Sequence, residues 1–272
     1  MVGAVTQYVG AATAVGLFDR LGSPAVAWLR VLWSALALLV WRRPRWRSIA
    51  RRQRVDLVGF GVALGLMNLS FYLAIARLPL GTAVAIEFSG PIAVAALGSR
   101  HRADLVAVVL AAFGVALLAD VQWAGNAAGV GFAFGSAAMW AGYILLGRRV
   151  SAKGTSEGLD GLARSTAFAA VVLAPVGLTG LVAHGPLDGR FAWALLCCAV
   201  VALCSNVVPY ALDQVVLARV SAPRFALLST LLPVTAAVVG AVVLGQRPTV
   251  AESVGVGAVM VALAVRGNAT SR

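Results

Sequence analysis

Apolar residues in this chain come in repeated blocks of roughly 15 to 22 positions, a length that crosses or nearly crosses a bilayer as a helix. Short polar stretches that hold most of the charge separate them. The blocks cover 2–18, 24–41, 55–76, 80–98 and 105–119 in the first half. They continue over 128–147, 163–183, 191–214, 225–244 and 250–265 in the second. Ten spans of about 20 residues use about 200 positions, and the roughly 72 left over are spent on nine connections and two tails. The pattern predicts an all-α integral membrane protein with ten transmembrane helices, whose function lies inside the bundle. The fifth and tenth blocks are short and must stand upright or sit in thinned bilayer. Met1 already lies inside the first block, which lacks a basic leader and has nine more behind it. That block is expected to be a retained span, not a cleaved signal peptide.

The two halves carry the same marks. Asn68-Leu-Ser-Phe-Tyr72 in the third block returns as Asn206-Val-Val-Pro-Tyr210 in the eighth. Ala76-Arg77 precedes Pro91 by the same interval that separates Ala218-Arg219 from Pro233, and a four-residue gap reconciles the two matches. Five spans per half is an odd number, so the second copy enters the membrane upside down. Residues 1–120 and 121–272 are therefore expected to form two inverted five-helix repeats, with a binding site at their interface near the midplane.

Composition agrees with this reading. Of 272 residues 61% are apolar and 12% charged, against about 45–50% and about 25% in soluble domains. A soluble enzyme is excluded. The net charge of +12 would suit nucleic acid, but the basic residues sit in short loops, where they fix orientation. With the N-terminus in the cytoplasm, Arg20, Arg77, Arg190 and Arg247 fall outside and Arg30 within a span; the other seventeen of the 22 Lys+Arg lie inside. That asymmetry predicts a bacterial inner-membrane protein with both termini cytoplasmic. The basic 42–54 loop is placed to meet anionic lipid. Cys197, Cys198 and Cys204 share one apolar block without metal or disulfide spacing, and they read as small packing residues. His101 and His184 both lie in loops, so neither is an intramembrane ligand or base. No Gly-x-Ser-x-Gly and no phosphate-binding Gly-Lys-Ser/Thr loop is present, so hydrolase and ATPase chemistry have no support. Neither a cofactor nor a metal is expected.

Charge inside a membrane is costly and points to function by default. Glu87 lies near the middle of the fourth block, Arg30 two turns into the second, and Asp213 toward the inner end of the eighth. An acid that takes up and releases a proton at such a depth is what proton-coupled transport needs. Helical spacing places Asn68 and Tyr72 on one face with Gly61 and Gly65, and Asn206, Tyr210 and Asp213 on another. Packing is the commoner use of the Gly61–Gly65 stripe. Asn-Tyr pairs facing lipid would be costly, so they are expected to face inward. Pro91, Pro175, Pro209 and Pro233 interrupt spans and free carbonyls that transporters use to line cavities. Gln7, Trp140 and Tyr143 complete the expected wall.

At these residues the sequence resembles the EamA group of the drug/metabolite transporter superfamily. Asn68-Leu-Ser-Phe-Tyr-Leu-Ala-Ile, Leu78-Pro-Leu-Gly81 and Ala85-Ile-Glu-Phe-Ser-Gly-Pro91 resemble its threonine/homoserine exporter branch, as do Trp140-Ala-Gly-Tyr-Ile-Leu and Pro209-Tyr-Ala-Leu-Asp213. The resemblance implies export of small amphipathic metabolites, amino acids among them, from a bacterial cytoplasm. Leu232 stands where that branch carries Glu, and Leu244-Gly-Gln246 where it carries Leu-Gly-Glu, so no second-half acid is carried over at those positions. The expected protein is a secondary transporter, monomer or homodimer, that moves a small molecule with a proton by alternating access. Arg30 would take a carboxylate, and Glu87 a proton or an ammonium group. Two rivals are an intramembrane enzyme on a lipid-linked substrate, for which Asp213 is the only weak base, and a non-transporting assembly protein.

Overall fold

A computed structural model describes residues 2–45, 51–97, 102–183, 189–229 and 232–246, together with 249–250, 253–255, 257–258 and 261. Among them the regular structure is helical throughout. Six helical stretches are long and apolar enough to cross a membrane: Ser23–Arg42, Gln53–Ile75, Leu80–Leu97, Asn126–Val150, Thr155–Ala183 and Phe191–Leu217. Exposed apolar side chains crowd their outer faces, such as Val171, Val176, Leu178 and Val182 on the fifth of these. Exposed apolar faces of that extent need lipid to cover them.

The first helices are α1 (Val2–Val15), the single turn α2 (Phe18–Leu21), α3 (Ser23–Arg42) and α4 (Arg51–Ile75). Gly22, at φ 75°, turns the chain into α3, with Pro24 in that helix's first turn, where a missing N–H costs nothing. Two short helices follow, α5 (Leu80–Glu87) and α6 (Ser89–Leu97), where one span was expected over 80–98. Pro91 explains the break. It has no N–H to give the carbonyl of residue 87, four positions back, so α5 stops at Glu87.

A single element, α7 (Arg102–Val150), covers the blocks expected over 105–119 and 128–147. The boundary between them survives as a kink: Asn126 has non-helical angles, φ −157° and ψ 64°. Its Oδ1 accepts the Gly129 N–H at 3.1 Å, an N-cap for the second segment, and its Nδ2 donates to the Arg77 carbonyl at 3.1 Å. Beyond it run α8 (Thr155–Ala183) and α9 (Gly189–Ala202), then a π-turn over Leu203–Val207 and α10 (Val208–Leu217). The chain continues through α11 (Ala222–Leu228) and α12 (Leu232–Val243). Pro175 does not interrupt its span, for α8 runs through it without a break. The block expected over 250–265 lies largely outside the described residues.

Helices of the two halves interleave, α4 against α7 and α8, α3 against α8, and α1 against α12. Close approach depends on small residues. A Cβ on Gly61 would come within 2.5 Å of the Ser165 carbonyl oxygen, and one on Gly90 within 2.0 Å of that of Ala137. The Gly61–Gly65 stripe is thus a packing surface for α8. At one end of the bundle Arg42 pairs with Asp160 at 2.9 Å and Arg149 with Asp56 at 3.8 Å. All four residues border stretches expected on one side of the membrane.

Candidate functional site

A cavity of about 280 Å³ lies among the interleaved helices. Seven of the ten expected site residues line it: Gln7, Arg30, Asn68, Glu87, Trp140, Tyr210 and Asp213. Tyr72, Tyr143 and Asn206 do not line it. They stand behind, each held to a lining residue by a contact described below.

Arg30 projects from α3 and is only 3% exposed. It does not snorkel toward a surface. Its Nη2 donates to the Ser205 carbonyl at 3.3 Å, to the Ser205 hydroxyl at 2.9 Å, and to Asn206 Oδ1. The carbonyl is available because Pro209, four residues on, has no N–H to offer it, and the π-turn over Leu203–Val207 accommodates the defect. The guanidinium carbon lies 4.6 Å over the Tyr72 ring, a cation–π contact strengthened by desolvation. Arg30 Nε has no hydrogen-bond partner among the described residues.

Glu87 ends α5 at the Pro91 break and is 7% exposed. It is bonded to the Ser136 hydroxyl, which also lies 3.1 Å from the Met67 carbonyl oxygen. A hydroxyl has one proton. The chain Glu87–Ser136–Met67 is therefore complete only when Glu87 is protonated and donates to Ser136, freeing the serine to donate onward. Asp213 accepts from the Tyr143 hydroxyl at 3.0 Å. Tyr143 packs on Tyr210, with ring centroids 5.5 Å apart, and Tyr210 in turn accepts from Asn68 Nδ2 at 3.0 Å. Trp140 meets Phe88 edge to face at 5.3 Å.

Several members of this site escaped the sequence reading. Ser136 and Ser205 are single hydroxyls in apolar helices, where most serines only satisfy their own backbone. Met67, Phe71, Phe225 and Ser229 line the cavity but look like ordinary core residues in sequence. Ser229 had one available signal: it precedes Pro233 by four positions, as Glu87 precedes Pro91. Leu232 faces the cavity as an apolar wall. Gln246 lies elsewhere, its Oε1 accepting the Leu80 N–H at 2.9 Å. The three cysteines are free thiols, and among the described residues no group of His, Cys, Asp or Glu is arranged to hold a metal.

A multi-pass helical bundle that keeps a cation and two acids around a shared cavity is built as a membrane transporter. Comparison with known proteins gives the family: the EamA-like transporter family profile matches residues 127–266. The threonine/homoserine exporter RhtA of Escherichia coli (strain K12) is 38% identical over 259 residues, covering 93% of this chain and 84% of that protein. RhtA of Salmonella typhimurium (strain LT2) is 37% identical over 246 residues, covering 88% and 80%. A protein of known crystal structure superposes at TM-score 0.65 over 100% of this chain and 98% of its own, at 17% identity, a likeness of fold alone. The chain belongs to the EamA-like transporter family. That membership sets aside the enzyme and assembly-protein readings.

Proposed function

We propose that this protein exports small amino acids across the bacterial inner membrane, coupled to protons, by alternating access around the cavity. The observation that carries this reading is the charge arrangement, with Arg30 on one wall and Glu87 and Asp213 on others, in one space of about 280 Å³. Pockets for drug-sized ligands measure roughly 300–1,000 Å³, so a space just under that range suits something smaller. A zwitterion matches the charges. Its carboxylate meets the Arg30 guanidinium, and its ammonium group meets Asp213, which the Tyr143 hydroxyl fixes in place. Glu87 carries the proton, with Ser136 completing its bond in the protonated form. Relatives named as threonine/homoserine exporters support a substrate with a polar side chain.

In this reading ten helices form inverted repeats over 1–120 and 121–272, which rock about the site. Both termini are cytoplasmic, and the unit is a monomer or homodimer surrounded by lipid. Two further contacts support the sidedness. Arg77 meets Asn126, and Leu80 meets Gln246, so loops expected on the outer side also come together. Counterflow of radiolabelled threonine and homoserine into proteoliposomes of the purified protein tests the proposal. Uptake above empty liposomes, saturable and raised by a proton gradient, is expected. Failure of both substrates to exceed the empty-liposome level overturns it.

A further inference from the structure

The repeat relates Asn68 to Asn206 and Tyr72 to Tyr210. Two cross-repeat pairs follow from that relation, Asn68 with Tyr210 and Asn206 with Tyr72. They are found in opposite states. Asn68 Nδ2 donates to the Tyr210 hydroxyl at 3.0 Å. Asn206 Nδ2 and the Tyr72 hydroxyl have no hydrogen-bond partner among the described residues, although the two residues are only 1% and 0% exposed. Buried polar groups are nearly always paired in native proteins, and two orphans on one related pair need a cause.

Arg30 is that cause. Its guanidinium lies 4.6 Å over the Tyr72 ring and its Nη2 occupies Asn206 Oδ1, so it engages both partners. Nothing comparable interrupts the Asn68–Tyr210 pair. In a transporter built of inverted repeats, one half rocks against the other about a fixed site, and opposite orientations exchange the roles of the halves. The pair that is closed in one orientation is then the pair that opens in the other.

We propose that Asn68–Tyr210 and Asn206–Tyr72 are alternative latches of the transport cycle, and that Arg30 is the wedge holding the second open until an anionic group draws its guanidinium away. The inference rests on the reading of the cavity as an alternating-access site. It adds roles for Tyr72 and Asn206, which stand behind the cavity wall, as positioning residues. A substrate carboxylate at Arg30 competes with Asn206 for the guanidinium. Binding thus frees the Asn206 and Tyr72 groups to meet, which links occupancy to reorientation.

The test reads which side of the membrane the cavity faces, without substrate. Met67, which lines the cavity, becomes the single cysteine of the full-length protein, with Cys197, Cys198 and Cys204 replaced by Ala. A membrane-impermeant maleimide is applied to right-side-out and to inverted vesicles, and the ratio of the two modification rates is measured. Asn68→Ala opens the first latch and is expected to shift the ratio about two- to tenfold, the worth of one ordinary hydrogen bond. Tyr210→Phe makes the same perturbation more gently. Arg30→Ala removes the wedge and should shift the ratio in the same direction as Asn68→Ala. That shift should vanish in the Arg30→Ala/Tyr72→Phe double variant, because the second latch then has no hydroxyl. An Arg30→Ala shift that survives Tyr72→Phe overturns the proposal, and so does an unchanged ratio in Asn68→Ala and Tyr210→Phe. Failure of threonine and homoserine transport with these shifts intact would count against the proposed substrates and leave the latches standing.

Discussion

Arg30→Lys separates a charge from a geometry. Arg30 uses its donors unevenly: Nη2 serves Ser205 and Asn206 of the second half, and the buried Nε has no partner among the described residues. Lysine keeps the charge but has one nitrogen on a flexible stem, which cannot stay on Ser205 while turning a second donor from Asn206 to a carboxylate. The π-turn acceptors are present in every molecule, so they take the ammonium group and the ligand loses. A hydrogen bond to a charged group contributes about 1.5–3 kcal/mol, so losing one weakens apparent affinity about 10- to 150-fold. The assay is the half-saturating concentration of threonine in proteoliposome counterflow, with the thermal midpoint of the detergent-solubilised variant as a check on folding. A folded Arg30→Lys protein with an unchanged half-saturating concentration would refute the assignment of a carboxylate to Arg30.

Three other outcomes follow from the same structure. Glu87→Gln keeps the size and hydrogen-bonding reach beside Ser136 but cannot carry a proton, so uphill, gradient-driven uptake should be lost while substrate-for-substrate exchange persists; proteoliposomes with and without an imposed pH gradient distinguish the two. Gly90→Val would push a Cβ to within 2.0 Å of the Ala137 carbonyl oxygen, a backbone clash that should cost more than the ~1–3 kcal/mol of ordinary overpacking; a lowered thermal midpoint and loss of the monodisperse peak on size exclusion are expected. Reporter fusions after Arg272 should read cytoplasmic and an insertion at His184 should read external, and a C-terminus found outside would remove the ten-span reading together with the inverted repeat.

What was legible in the sequence follows from which physical signals are local. Membrane-length apolar blocks are local, and the starts and ends of α3, α4 and α8 fall within a few residues of the blocks or extend them. Burial of charge is nearly local as well. A lone Arg or Glu in an apolar run has few places to go, and Arg30, Glu87 and Asp213 do share one cavity. Prolines proved legible in kind but not one by one. Pro91 and Pro209 break or bulge their helices, and Pro175 does not. The fate of the carbonyl a proline orphans is not local either: that of Ser205 gains Arg30 as a donor, a partner no pattern within one helix reveals. Ser136 was illegible for the same reason, since its importance comes from Glu87 and Met67 on other helices.

The cavity is less symmetric than the repeat proposed for the frame around it. Counting four residues back from Pro91 and from Pro233 gives Glu87 and Ser229, and both line the cavity. One half thus offers an acid where the other offers a hydroxyl that donates to the Phe225 carbonyl of its own helix. Asp213 does not restore the balance, because it lies beside Tyr143 and not before the second proline. If the two halves carried the same groups, the two orientations would bind proton and substrate alike, and neither ligand would shift the balance between them. In the proposed cycle, a single acid at the break of α5 and a single wedge at Arg30 would make the orientations chemically distinct. Repetition would supply two states of comparable energy, and the unmatched residues would give a proton and a carboxylate the means to choose between them.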